Sequence, residues 1–86
     1  MIRTIDELIN YLFNDKDLQE AVKRVYYEIE KSNKALFESQ IATNLISSKV
    51  LGNNFILHGS YVRTALDILV SEDFLTKKRA KYFKKN

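Results

Sequence analysis

The sequence predicts a mainly α-helical fold with a small β-hairpin, in the order helix, helix, edge strand, helix, helix, hairpin. Three observations lead to this prediction. Apolar residues recur at helical spacing in four segments, and two short segments rich in β-formers flank a polar turn near the C-terminus. The chain has 86 residues, which is enough for one small domain and no more. We therefore expect residues 1–86 to form a single domain.

The first two helices are predicted from their capping signals. Thr4 and Glu7 have the spacing of a capping box, in which each side chain accepts a hydrogen bond from the other residue's backbone N–H. A helix over Ile5 to Phe13 follows, and then a turn. Asp17 and Glu20 repeat the spacing and predict a longer second helix. The apolar stripe of that helix consists of Leu18, Ala21, Val22, Val25 and Ile29.

The middle of the chain predicts a strand and a third helix. Ser32-Asn33 ends the second helix, and Ala35 to Phe37 is short and apolar enough to be an edge strand. The third helix begins at Glu38-Ser39 and ends at Gly52-Asn53-Asn54, because Gly and Asn tolerate the left-handed conformation of a helix end. Its inward residues are predicted to be Ile41, Ala42, Leu45 and Ile46.

The last part of the chain predicts a fourth helix and a hairpin. Ser60 is a suitable N-cap, and Ser71 to Asp73 interrupts the apolar pattern. Phe74 to Thr76 and Ala80 to Phe83 then flank the polar Lys77-Lys78-Arg79 and predict a hairpin. Because this turn lacks glycine, the same segment is also compatible with a basic helix. The stripe of the fourth helix consists of Val62, Ala65, Leu66, Leu69 and Val70.

Charge is distributed unevenly along the chain. Residues 77–86 carry six of the 14 cations and no acid, so the net charge of +3 conceals a mildly acidic body. Such a block indicates a polyanionic partner, with nucleic acid first and a membrane surface second. The alternative is a solvated tail, against which the adjacent rings of Tyr82 and Phe83 argue. The six cations are Lys77, Lys78, Arg79, Lys81, Lys84 and Lys85.

Several classes of protein are not expected. The longest apolar runs have three residues, against the ~20 that a membrane span needs, and no secretory signal follows Met1. The absence of cysteine fits a reducing cytoplasm. His58 is the only histidine, so neither a metal site nor a cofactor is predicted.

An enzyme is not predicted either, because no phosphate-binding or nucleophile motif is present. Paired carboxylates can act in hydrolases, but here they belong to caps, a turn, a helix face and a helix break, and none is expected to be buried. The pairs are Asp6/Glu7, Asp15/Asp17, Glu28/Glu30 and Glu72/Asp73.

From Ala35 to Lys85 the chain resembles a winged helix-turn-helix DNA-binding domain. FESQIATNLI (37–46) is similar to the scaffold helix, SYVRTALDILVSEDFL (60–75) to a recognition helix that runs into the first wing strand, and LTKKRAKYFKK (75–85) to the wing. The small size, two leading helices and Lys/Asn-rich composition resemble TubR, the centromere-binding adaptor of type III plasmid and phage partition systems. Small plasmid or phage repressors have the same outline.

The resemblance implies which residues of the fourth helix face DNA. With Val62, Leu66 and Leu69 inward, the opposite face carries Ser60, Thr64 and Asp67. Tyr61 and Arg63 lie on its flanks. Arg63 can bind guanine through two hydrogen bonds. The alternative is an i, i+4 ion pair with Asp67, and Asp67 is also expected to orient Arg63 if that residue binds DNA. Phosphate or minor-groove contacts are assigned to Lys77, Lys78, Arg79 and Lys81 of the wing.

The resemblance also implies partners. A homodimer would read two half-sites of double-stranded DNA, either an operator or centromere repeats, and a tubulin-like GTPase would be a second partner. Residues 1–34 are expected to supply the dimer interface, and residues 35–86 the helix-turn-helix and wing. The alternatives are a protein–protein adaptor or anti-repressor that does not bind DNA, and a peripheral membrane protein with a basic amphipathic helix over 74–86. Candidate interface residues are Ile9, Val25, Tyr26 and Ile29.

Overall fold

A computed structural model describes residues 2–47 and 59–85. These residues form four helices and a three-stranded antiparallel sheet, which confirms the mainly α-helical fold with a hairpin. The predicted stop at Gly52-Asn53-Asn54 and His58 lie outside the described residues. The elements are α1 (Ile5–Tyr11), α2 (Lys16–Ser32), β1 (Leu36–Phe37), α3 (Glu38–Ser47), α4 (Gly59–Ser71), β2 (Leu75–Lys78) and β3 (Lys81–Lys84).

The predicted capping box at the start of α1 is confirmed. The Glu7 N–H donates to the Thr4 hydroxyl over 3.1 Å, and the Thr4 N–H donates to the Glu7 carboxylate over 2.9 Å. Hydrogen bonds from the backbone N–H groups of Arg3 and Thr4 lower the pKa of the Glu7 carboxyl. The helix ends two residues before the predicted Phe13, since the Leu12 N–H already donates to the Ile9 carbonyl in a tighter last turn.

The second predicted cap is wrong by two residues. Asp15, not Asp17, caps α2, and its carboxylate accepts from the Leu18 N–H over 3.0 Å. Asp17 is therefore already helical, and Glu20 pairs with Arg24 at 2.6 Å instead of closing a capping box. The predicted end of this helix is confirmed, because Asn33 adopts the left-handed conformation with φ 56°.

One buried core joins α2, α4 and the sheet. The predicted stripe of α4 is confirmed, with Leu66 and Leu69 fully buried. Because α4 already begins at Gly59, Ser60 lies within its first turn and the N-cap prediction is wrong. The core consists of Leu8, Ala21, Val22, Val25, Ile29, Leu36, Ile41, Leu45, Val62, Ala65, Leu66, Leu69, Leu75 and Tyr82.

This core corrects two expectations about α2. Val25 and Ile29 are 0% and 1% exposed within the chain itself, so they are not available for the dimer interface suggested for them. Glu28 is buried although no acid was expected to be, because it lies one helical turn after Val25 on the inward stripe. Its carboxylate has the ammonium of Lys31 as a partner, at 3.5 Å.

The predicted break after α4 is a Schellman-type helix end. Asp73 has a positive φ of 68°. Its N–H donates to the Val70 carbonyl over 3.1 Å, and the Phe74 N–H donates to the Leu69 carbonyl over 2.8 Å. These two bonds turn the chain directly into β2. The Phe74 ring then meets the Tyr26 ring edge-on, with 6.1 Å between centroids.

The C-terminal hairpin is confirmed, and the interpretation of this segment as a basic helix is wrong. In the sheet order β1-β3-β2, Tyr82 faces Leu36 on one side and Lys77 on the other. Because neighbouring residues on a strand point to opposite faces, Tyr82 is buried and Phe83 is only half-buried. The opposite face of the sheet carries Phe37, Thr76, Lys78, Lys81 and Phe83.

The two-residue turn of the hairpin is strained. Arg79 and Ala80 have φ values of 53° and 67°, as a type I′ turn requires, but neither is one of the residues that tolerate this region well. We expect Ala80→Gly to raise the free energy of unfolding by about 1 kcal/mol in urea denaturation. The matched control is Ala21→Gly inside α2, which is expected to lower it by at least as much, because it also removes a buried methyl group. A destabilised Ala80→Gly variant would contradict the turn conformation.

Candidate nucleic-acid interface

The end of the hairpin concentrates positive charge. Lys77, Lys78, Arg79 and Lys81 are all exposed, and the two-residue turn holds them within a few residues of each other on paired strands. None of the four forms an ion pair with any carboxylate in residues 2–47 or 59–85. Lys78 and Lys81 are direct cross-strand neighbours. Like charges at such positions repel each other, so the arrangement does not serve the stability of the hairpin.

The remaining two cations of the basic tail have a different role. Lys84 donates to Glu30 over 2.9 Å, and Lys85 donates to Asp73 over 2.9 Å. The hydrogen bond to the Glu30 carboxylate and the charge of that group raise the pKa of the Lys84 ammonium. In the sequence these two lysines belong to the same block as the four hairpin cations. In the folded chain Lys84 and Lys85 form ion pairs that join β3 to α2 and the residue after β3 to the end of α4.

An exposed aromatic ring lies beside the hairpin cations. Phe37 of β1 pairs with Lys81 of β3, and the Lys81 ammonium lies 5.0 Å from the centroid of the Phe37 ring. Phe37 is 40% exposed. Lys81 in turn faces Lys78 across the hairpin. One row across the outer face of the sheet therefore consists of Phe37, Lys81 and Lys78. It presents an exposed aromatic ring followed by two positive charges.

Arg63 connects this row to α4. Its Nε donates to a carboxylate oxygen of Glu38 over 3.4 Å. Glu38 directly follows Phe37 and opens α3. The proposed i, i+4 pair between Arg63 and Asp67 is therefore wrong, as is the idea that Asp67 orients Arg63. We use the term basic surface for the set consisting of Arg63, Phe37, Lys77, Lys78, Arg79 and Lys81.

The rest of the outer face of α4 is polar and then acidic. Thr64 and Asp67 are exposed, and both border a shallow groove of about 370 Å³ with Tyr11 and Leu12 of α1. Ser60 lies in the first turn of α4. Positive charge on this helix therefore lies in its N-terminal half. Further along the chain, Asp67 and Glu72, which follows the helix, are negatively charged.

Tyr61 does not belong to the basic surface. It is half-buried and packs against the core. Loss of contact with water and the nearby charges of Asp15 and Asp17 raise the pKa of its phenol. Two carboxylates in its surroundings make this flank of α4 unfavourable for a polyanion. Tyr61, one of the eight residues predicted to contact DNA, is thus partly packed into the core.

Two residues of this region were missed in the sequence analysis, namely Phe37 and Glu38. Both residues belong to the stretch that resembles the scaffold helix, Phe37 is also part of the predicted edge strand, and neither is predicted to contact DNA. The sequence did contain a signal for the exposure of Phe37. An aromatic residue at the last position of a two-residue edge strand has one side that faces solvent. The pairing with Lys81 and Arg63 has no local signal, since these partners are 44 and 25 residues away along the chain.

Two further observations bear on other kinds of site. Among residues 2–47 and 59–85, no three His, Cys, Asp or Glu side chains are grouped so as to hold a metal ion. Within the same residues, every helix is too short or too polar to cross a bilayer.

Comparison of the chain with protein-family models, with curated proteins and with solved structures found no significant match.

Proposed function

We propose that this chain is a sequence-specific winged helix-turn-helix protein that binds duplex DNA, in plasmid or phage DNA partition or in transcriptional repression. The order of the elements supports the winged helix, because β1 precedes the two helices α3 and α4 and then pairs with the second strand of the hairpin. In this proposal α4 is the recognition helix, and β2 and β3 form the wing.

The observation that carries the proposal is the continuous row within the basic surface that runs from Arg63 through Phe37 to Lys81 and Lys78. Lys77 lies on the other face of the hairpin, with its ammonium 5.5 Å from the centroid of the Tyr82 ring. Arg63 of α4 and Lys81 of the wing are linked through the adjacent residues Glu38 and Phe37, by one ion pair at 3.4 Å and one cation–ring contact at 5.0 Å. A duplex that receives the N-terminal half of α4 in its major groove would therefore meet the wing along the neighbouring backbone.

The two parts of the surface have different tasks in this proposal. The four wing cations, which have no carboxylate partner among residues 2–47 and 59–85, contact phosphates, and this gives affinity without sequence preference. Arg63 and Thr64 read base edges, since a guanidinium makes two parallel hydrogen bonds to guanine. The position of Asp67 limits how far α4 enters the groove, because an unpaired carboxylate near phosphates is repelled.

A homodimer remains part of the proposal, because one small module binds a single half-site weakly. A tubulin-like GTPase is retained as a second partner for the case of DNA partition. With Val25 and Ile29 excluded, the half-buried Ile9 and Tyr26 remain from the residues suggested for the interface. Both line a groove of about 1070 Å³ between α1, α2 and the end of α4.

The direct test is selection of preferred duplexes from a random DNA library by the full chain, followed by fluorescence anisotropy at several salt concentrations. We expect enrichment of a motif with guanine in each half-site, and binding that weakens steeply as salt increases. Tight binding of all sequences alike would remove the claim of specificity. Absence of binding even at about 50 mM salt would favour the protein–protein adaptor, whose partner would then bind the same surface.

A further inference from the structure

An acidic residue lies within a surface that is otherwise positive. Glu38 is the first residue of α3 and lies between Phe37 and Arg63. A carboxylate at this position repels phosphate, so it is unfavourable on a surface proposed to bind DNA unless it has another role there. We propose that Glu38 is a positioning residue for Arg63, which presents the guanidinium to a guanine and makes the interaction dependent on sequence. This inference rests on the proposed function.

The geometry of the ion pair supports this role. The recorded hydrogen bond uses Nε of Arg63, and neither of its terminal nitrogens donates to another group in the described residues. Those two nitrogens form the end of the planar guanidinium and match the O6 and N7 acceptors of guanine. Glu38 therefore restrains the side of the guanidinium and leaves its far end for a base. Arg63 is 71% exposed, so this end is accessible.

Glu38 itself is held in place by its neighbours. Leu36 and Phe37 are paired with β3, which fixes the chain immediately before α3. The side chain of Gln40 then accepts from the Phe37 N–H over 2.8 Å and secures the start of the helix. The Glu38 side chain is 28% exposed, against 71% for Arg63. The less mobile partner is thus the carboxylate, which is what a positioning role requires.

The ion pair contributes little to folding. Both side chains are in contact with water and the atoms are 3.4 Å apart, and exposed pairs of this kind have small effects on stability. Glu38→Gln is therefore expected to leave the fold intact, so a change in DNA binding can be assigned to the surface. The matched control is Glu20→Gln on α2, which removes the carboxylate of a partly exposed ion pair with Arg24.

Sequence preference is the decisive measurement. For the parent and for Glu38→Gln, we would measure the ratio of affinities for the selected duplex and for random duplex. The parent is expected to prefer its site, and Glu38→Gln is expected to bind random DNA several-fold more tightly while the ratio falls about tenfold. The salt dependence should become steeper by up to one phosphate contact, a slope change of about −0.9. Glu20→Gln should match the parent.

Two Arg63 variants separate positioning from simple charge repulsion. Arg63→Lys keeps the charge but lacks the planar end, so it should lose the preference while retaining the salt dependence of the parent. In an Arg63→Ala background, Glu38→Gln should cause no further loss of preference. An unchanged ratio in Glu38→Gln, or an equal loss with and without Arg63, would overturn the positioning role. If the parent itself shows no preference among duplexes, the proposed function fails first and this inference with it.

Discussion

Replacement of Lys77, Lys78, Arg79 and Lys81 by glutamine is expected to lower the affinity for duplex DNA about 100- to 1000-fold near physiological salt. Each phosphate contact contributes about −0.9 to the slope of log affinity against log salt concentration, so four lost contacts should flatten that slope by about 3.6. The reason lies in the fold, because these four cations form no ion pairs within the described residues. Anisotropy titrations between about 50 and 200 mM salt would measure both quantities.

Two double variants provide the matched control for this prediction. Lys78→Gln with Lys81→Gln removes two unpaired charges, whereas Lys84→Gln with Lys85→Gln removes two charges that are paired with Glu30 and Asp73. Both variants change the net charge equally, and only the first should flatten the slope, by about 1.8. Loss of the cross-strand repulsion in the first variant should not weaken the hairpin. Equal effects of the two variants would show that net charge, not the basic surface, governs binding.

Leu66→Ala is expected to lower the free energy of unfolding by about 2–5 kcal/mol, because the side chain is fully buried and its removal leaves a cavity. A domain of 86 residues has roughly 4–13 kcal/mol in total. This single truncation thus removes a large part of the stability. Urea denaturation followed by far-ultraviolet circular dichroism would measure the change.

Phe13→Ala is the control for the core truncation. Phe13 is a larger residue but is 70% exposed, so its removal should change the stability by less than about 0.5 kcal/mol. A loss on Leu66→Ala no greater than that on Phe13→Ala would mean that α4 does not pack through its apolar stripe. The assignment of Arg63 and Thr64 to the outer face would then fail as well, since both assignments depend on the same rotation of the helix.

Local patterns accounted for much of the fold. The apolar stripe of α4, the cap at Thr4 and the helix end at Asn33 depend on residues within one or two turns of each other, so spacing along the chain predicts them. The alternation of Tyr82 and Phe83 likewise follows from the period of a strand. The prediction of the N-cap of α2 failed because two nearby residues, Asp15 and Asp17, are both suitable caps. The structure uses Asp15.

The candidate site was predicted less completely. Charge and helical spacing in the sequence pointed to the hairpin cations and to Arg63, but they indicated Asp67 as the alternative partner of Arg63 and did not separate Lys84 and Lys85 from the other cations. Ion pairs such as Arg63 with Glu38 and Lys84 with Glu30 join residues 25 and 54 positions apart. Helical spacing favours the nearby Asp67, and it contains no information about which strand or helix end will lie alongside.

The residue types and their periodicity therefore specified the helices, the hairpin and the presence of excess positive charge, because these depend on short-range sterics, capping and burial of one face. Packing of β1 against β3, of β3 against α2 and of α3 against α4 determined which charges form ion pairs within the described residues. This packing places Phe37 and Glu38 between α4 and the hairpin, and it buries Val25 and Ile29 in the core. Such relations arise from contacts between distant segments, and so they exist only once the chain has folded.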